Sequence, residues 1–148
     1  MEYRTAAQQE CFEKIVPMMK DIFGELARTA DDRPSVLVMV GSALAVTSVY
    51  PWGGDDATIT TRAYVLFGAE LTQELLLDLL QRNDKMRFGA FGVDNDGDIF
   101  FEHTIVGSTC DRDELKASVL AVGVTADGVD EELAARYGGQ TPRQRAGI

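Results

Sequence analysis

Between Thr5 and Ala30, apolar side chains recur at Phe12, Ile15, Met18, Met19, Ile22, Phe23 and Leu26, the spacing of one face of an α-helix. Pro17 falls inside this run and cannot donate to the carbonyl of Glu13, which predicts a kink or two abutting helices. After Asp31-Asp-Arg-Pro34 the pattern changes. Val36–Val40, Leu44–Trp52 and Ala57–Phe67 are rich in β-branched and aromatic residues, and Gly41-Ser42 and Gly53-Gly-Asp-Asp56 separate them. They read as three strands joined by tight turns. Thr72 then caps a helix that carries Leu75, Leu76, Leu79 and Leu80 on its inner stripe and stops at Asn83-Asp84.

The stretch from Phe88 to Leu115 is the most legible. Apolar residues flank Asp94-Asn-Asp-Gly-Asp98, the signature of a β-hairpin turn, and Asp111 with Glu114 marks the start of a last helix. That helix runs towards Tyr137, where Gly138-Gly139 supplies a stop. Gly123 and Gly128 each cost it about 1 kcal/mol relative to Ala, so a break is expected near Asp127-Gly128. The order is α-β-β-β-α-β-β-α. Short turns within each strand group imply antiparallel pairing, hence an α+β fold with a five-stranded antiparallel sheet packed against helices. One domain over residues 1–139 is expected, followed by a flexible basic tail over 140–148.

An antiparallel sheet with one wet face should alternate apolar and polar residues. This chain does not. In the second hairpin strand Ile99, Phe101, His103 and Ile105 oppose Phe100, Glu102, Thr104 and Val106; in the long third strand Tyr64 and Leu66 oppose Ile59, Ala63, Val65 and Phe67. Something should therefore cover part of the second face: helices, a second copy of the chain, or a bound peptide. Phe100, Glu102, Thr104, Val106, Tyr64 and Leu66 make up the candidate partner or dimer surface.

Composition narrows the functions. At 148 residues, the chain can bury roughly 68–70% of its unfolded surface and needs no disulfide or metal to hold a core. No apolar run approaches the roughly 20 residues that span a bilayer, and the start lacks a signal-peptide pattern, so a cytoplasmic protein is expected. The net charge of −10 argues against nucleic acid. The one basic patch, Arg143 and Arg145, lies in the tail. On this reading acidic partners are disfavoured, and neutral or basic peptides are tolerated. Cys11 and Cys110 are far apart with no C-x-x-C, which suits two buried thiols.

No reaction chemistry emerges. Glu102 and His103 are strand neighbours pointing to opposite faces, so they form no dyad. The Asp94 loop has Ile99 and Ile105 where a calcium-binding EF-hand loop needs Gly and Glu. Gly53-Gly54 lacks the Gly-Lys-Ser/Thr ending of a phosphate loop, and no base stands near Ser108 or Thr109 in the pattern. Neither catalytic residues nor a cofactor or metal site are expected.

The Asx/Gly hairpin, the Glu102-His103-Thr104 strand, the Asp111-x-x-Glu114-Leu115 helix start and the closing Asp130-Glu-Glu-Leu-Ala-Ala-Arg-Tyr-Gly-Gly139 resemble, in this order, the YbjN family. That family is related in fold to type III secretion chaperones such as CesT. The resemblance spans about Ser35 to Gly139. It implies a twisted antiparallel sheet, frequent homodimers and, in the secretion branch, a hold on extended segments of partner proteins. The leading expectation is thus a non-enzymatic, chaperone-like protein- or peptide-binding module, homodimeric and cytoplasmic. The alternative is a small-molecule regulator or cryptic enzyme with a helix–sheet pocket near His103, Tyr64 and Trp52. A third is a structural subunit whose sheet another protein covers permanently.

Overall fold

The first helix, α1 (Ala6–Phe23), begins where the Thr5 side chain accepts from the backbone N–H of Gln8, and it runs through Pro17 as one helix rather than two. Pro17 and Glu13 both lie on the solvent side, so the carbonyl that loses its donor is not one that must be satisfied inside the core. The computed structural model describes Met1–Ile148 in full. A single 3-10 turn (Gly24–Leu26) leads into β1 (Arg28–Thr29), β2 (Ser35–Val40), β3 (Ala43–Trp52) and β4 (Asp56–Leu66). Helix α2 (Gln73–Lys85), strands β5 (Ala90–Val93) and β6 (Ile99–Val106), and helices α3 (Arg112–Tyr137) and α4 (Pro142–Ala146) complete the chain.

The sheet has six antiparallel strands in the order β1-β2-β3-β4-β6-β5, not the five expected. The extra strand is β1, whose two residues pair with Leu37 and Val36 at the edge. Two residues are too few to show an alternating pattern in sequence. The Asp94–Asp98 turn closes the β5–β6 hairpin as expected, with Asp94 Oδ1 accepting from the N–H groups of both Asp96 and Asp98.

Helices α1, α2 and α3 all pack on one face. Ile15 and Met19 of α1 and Leu115 and Val119 of α3 meet Val36, Val38, Ala45 and Ile59 in one cluster. Leu75 and Leu79 of α2 with Val122 and Leu133 of α3 meet Leu66, Ile99 and Phe101 in a second. Each such fully buried aliphatic or aromatic side chain contributes about 1.5–3 kcal/mol through its removal from water.

Helix α3 does not break at Asp127-Gly128. Tertiary contacts outweigh the propensity cost. A Cβ on Gly123 would lie 2.5 Å from Cγ2 of Val40, so this glycine lets α3 approach β2. One turn later Asp127 Oδ1 accepts from both the N–H and the hydroxyl of Ser42, and that hydroxyl also reaches Asp130 Oδ2 at 2.8 Å. These bonds tie α3 to the β2–β3 turn. Gly41 in that turn has φ +59°, and a Cβ there would sit 2.3 Å from the Asp127 carboxylate.

The stretch 140–148, expected as a flexible basic tail, contains α4. Thr141 and Gln144 form a reciprocal capping box with Pro142 in the first turn. Gln140 exchanges two 2.8 Å backbone hydrogen bonds with Phe67. Gly139 permits this approach, because a Cβ there would be 2.7 Å from the Phe67 carbonyl.

Candidate functional site: the open face of the sheet

With three helices on one side, the other side of the sheet is left largely uncovered. Strand β3 shows how the two sides differ. Ala43, Ala45, Thr47 and Val49 face the helices and are buried; Leu44, Val46, Ser48, Tyr50 and Trp52 face outwards. The small side chains are inside, because α1 and α3 cross close to the strand, and the larger ones are outside. Leu44 is 40% exposed, Met39 of β2 47% and Tyr50 51%, large fractions for apolar side chains on one continuous surface.

Register arranges this face in rows across the strands. Ser35, Ser48, Thr60 and Thr104 form a hydroxyl row, bonded in pairs at 2.7 Å (Ser35–Ser48) and 2.8 Å (Thr60–Thr104). The next row holds Leu37, Val46, Arg62 and Glu102. Arg62 donates through Nε and Nη2 to Glu102 Oε2 at 2.9 and 2.8 Å, and its guanidinium lies 3.7 Å above the Phe100 ring.

A groove of about 1140 Å³ runs over this face. Its floor includes Met39, Leu44, Val46, Tyr50, Arg62 and Tyr64. Helix α4 walls one end, and the N-terminal residues with the Asp32-Arg33-Pro34 loop wall the other. The Arg145 guanidinium sits 4.3 Å over the Phe67 ring, which stacks on Tyr64 at 5.2 Å. The Tyr64 hydroxyl donates to Asp94 Oδ2 at 2.7 Å; this bond, with those of the turn N–H groups, holds the Asp94 carboxyl below its ordinary range.

Of the residues expected to form a partner surface, Tyr64, Glu102, Thr104 and Val106 share the open face. Phe100 belongs to the same face but is buried to 8% under Arg62 and Tyr64. Leu66 does not share it: a register shift between Tyr64 and Leu66 turns it into the core, where it is 0% exposed. The groove also takes in Met39, Leu44, Val46, Tyr50 and the tail arginines, none of which the sequence reading assigned to the partner surface. The signal was present as size rather than polarity, in the alternation of small and large residues along β3.

The alternative pocket does not assemble. His103 faces the helices, while Tyr64 and Trp52 face the opposite side. His103 Nδ1 lies 2.8 Å from Ser118 Oγ, the Phe88 ring packs edge-on at 5.4 Å, and burial pushes the imidazole pKa down. These contacts belong to the helix side of the sheet, away from the open face. Asp94, Asp96 and Asp98 bring carboxylate oxygens within 4.8 Å of one another, but Asp94 is committed to its own turn and Asp98 Oδ1 accepts from Gly68 N–H. Cys11 and Cys110 are buried free thiols, and burial raises the Cys110 pKa to about 11. No helix is long and apolar enough to cross a membrane.

Residues 10–145 match the family model "T3SS (YopN, CesT) and YbjN peptide-binding chaperone 1". The fold is similar to that of a chain in the solved HopA1-SchA chaperone-effector complex. The TM-score is 0.61 at 12% sequence identity, covering 83% of this chain and 96% of that one. At that identity the likeness is one of fold. No curated protein sequence matches.

Proposed function

Because the chain belongs to the T3SS (YopN, CesT) and YbjN peptide-binding chaperone family, we propose that it is a non-enzymatic module that holds an extended segment of a partner protein on the open face of its sheet. The carrying observation is the uncovered apolar floor, with Met39, Leu44 and Tyr50 each 40% or more exposed in one groove. From Leu44 to Tyr50 the strand spans about 20 Å, the length of roughly six extended residues. Partner side chains would pack on Leu44, Val46 and Tyr50, while the hydroxyl row offers hydrogen bonds to a backbone. Tyr64, Glu102, Thr104 and Val106 extend the same surface towards β6. We place the protein in the cytoplasm, where such partners are made, and as a homodimer. Leu77 and Leu80 on α2, 45% and 63% exposed, provide apolar surface for self-association away from the groove.

Chemical-shift mapping tests the binding surface. A library of extended apolar peptides added to labelled protein should move resonances of Met39, Leu44, Val46 and Tyr50, and Leu44→Asp should abolish the response without unfolding the chain. Shifts confined to α1 and α3, or none with any peptide, would refute it. Light scattering reports the dimer separately: a monomer at tens of micromolar removes self-association and leaves peptide binding standing.

A further inference from the structure

The groove has a charge opposite to that of the molecule. Acidic residues outnumber basic ones 24 to 14 in the chain. The groove, however, is lined by five arginines (Arg4, Arg33, Arg62, Arg143 and Arg145) against Glu2, Asp32 and Glu102. Only Arg62 is ion-paired, to Glu102. Elsewhere Arg82, Arg112 and Arg136 have found carboxylates. Of the six arginines that make no ion pair, four line this groove, whereas none of the four lysines does. Arg143 is also within electrostatic reach of Asp127 on α3, yet the lining as a whole sets five guanidiniums against three acidic side chains and so forms a local positive field around one apolar floor.

From this juxtaposition we infer that the occupant is an extended protein segment with a short apolar centre and carboxylates on both flanks. The inference rests on the peptide-binding reading and specifies its ligand. Position matters as much as sign. Arg143 and Arg145 stand at the α4 end, Arg4 and Arg33 at the opposite end, and Leu44, Val46 and Tyr50 lie between them. A guanidinium presents a planar fork that matches a carboxylate, which a lysine ammonium does not. Arg145, laid over the Phe67 ring, has part of its side-chain freedom already removed. Long polyanions such as nucleic acid carry charge past the groove, where the rest of a −10 surface repels them. A segment of about six to twelve residues confines its charge to the two arginine clusters. The sequence-based expectation that acidic partners are disfavoured is thus reversed locally, since net charge averages over a surface that is not uniform.

The test uses the full chain and three dye-labelled peptides of about 12 residues. They share one apolar centre and are flanked by Glu, by Gln or by Lys. Fluorescence anisotropy at neutral pH should show the Glu-flanked peptide binding about tenfold tighter than the Gln-flanked one, as expected for several exposed ion pairs acting together. The Lys-flanked peptide should bind weaker still. The Glu-over-Gln preference should shrink severalfold between about 50 and 200 mM salt. Arg143→Gln with Arg145→Gln should reduce the Glu-over-Gln preference severalfold, whatever it does to the affinity common to all three peptides; a preference as large as the parent's would overturn the role given to these two arginines. Arg33→Gln, in an exposed loop, tests the other end without touching a ring stack. Equal binding of all three peptides would overturn the charge inference and keep the groove. Absence of binding by any of them would overturn both readings. Tighter binding of a labelled single-stranded oligonucleotide than of the Glu-flanked peptide would overturn the choice of ligand.

Discussion

Thr47 and Thr61 provide a sharp test of how the sheet carries polar groups through its core. They stand directly opposite each other on β3 and β4, both 0% exposed, with their hydroxyl oxygens 2.9 Å apart. Each hydroxyl is satisfied by the other. Thr47→Val keeps the shape of the side chain but leaves the Thr61 hydroxyl without its partner in a dry interior, which costs about 1–3 kcal/mol. The reverse substitution strands Thr47 by the same reasoning. Making both changes removes donor and acceptor together and leaves apolar surface of similar volume. The double variant should therefore return to within about 1 kcal/mol of the parent, where two independent losses would sum to roughly 2–6 kcal/mol. Urea unfolding followed by far-ultraviolet circular dichroism reads this directly; Trp52, at 55% exposure, would be a poor reporter of the core. In a domain of this size each kcal/mol also moves Tm by about 2–4 °C. Because the opposite faces of the same strands form the groove floor, peptide binding by the double variant should match the parent. A double variant as unstable as the sum of the singles would refute the argument, as would a neutral single change.

Three further predictions follow from separate contacts. Gly123→Ala should destabilise by about 1–3 kcal/mol despite alanine's better helix propensity, because its methyl would lie 2.5 Å from Val40; adding Val40→Ala should recover part of the loss in a thermal melt. The Asp78 carboxyl is held below its ordinary pKa, first by the hydrogen bond from Arg82 and then by the Tyr137 hydroxyl. Its stabilisation is therefore present above the unfolded value of about 3.9 and lost as pH falls through the lower folded value; Asp78→Asn should flatten that part of an acid titration of Tm. Finally, Cys11 and Cys110, 7% and 3% exposed with pKa values raised by burial, should resist a thiol reagent at mildly alkaline pH in the native state and both react in urea. Rapid labelling of either in the folded protein would contradict the packing described.

Much of the fold was legible because local signals agreed with it. Thr72 accepts from Leu75 N–H and Asp111 from Glu114 N–H, each capping the helix expected to start there. The Asp94–Asp98 turn marked the hairpin that β5 and β6 form. Where expectation and structure part, a distant contact is responsible. Gly123, counted as a helix breaker in α3, proved to be its means of approach to Val40, and Ser42, 85 residues away in sequence from Asp127, helps anchor the helix there. The residues 140–148 were read from composition alone, which carries no trace of the Phe67–Gln140 bridge.

By itself, the sequence determined the order of the main elements, all but β1 and α4, together with the antiparallel pairing and the presence of apolar residues on both faces of the sheet. These depend on neighbours within a few residues, where backbone sterics and periodicity act. Only the tertiary structure decided which face stayed open. Along β3 the helices cover the side with the smaller residues, and across β4 and β6 they cover the side with Ile59, Ile99 and Phe101. Which side closes is set by how three helices pack against the whole sheet, and a linear pattern of apolar residues does not record that. The positive groove was likewise beyond the sequence. Arg4, Arg33, Arg62, Arg143 and Arg145 are scattered over 142 positions, and it is folding that gathers them around one surface. Charge acts through distance in space, and a net value of −10 contains no distances.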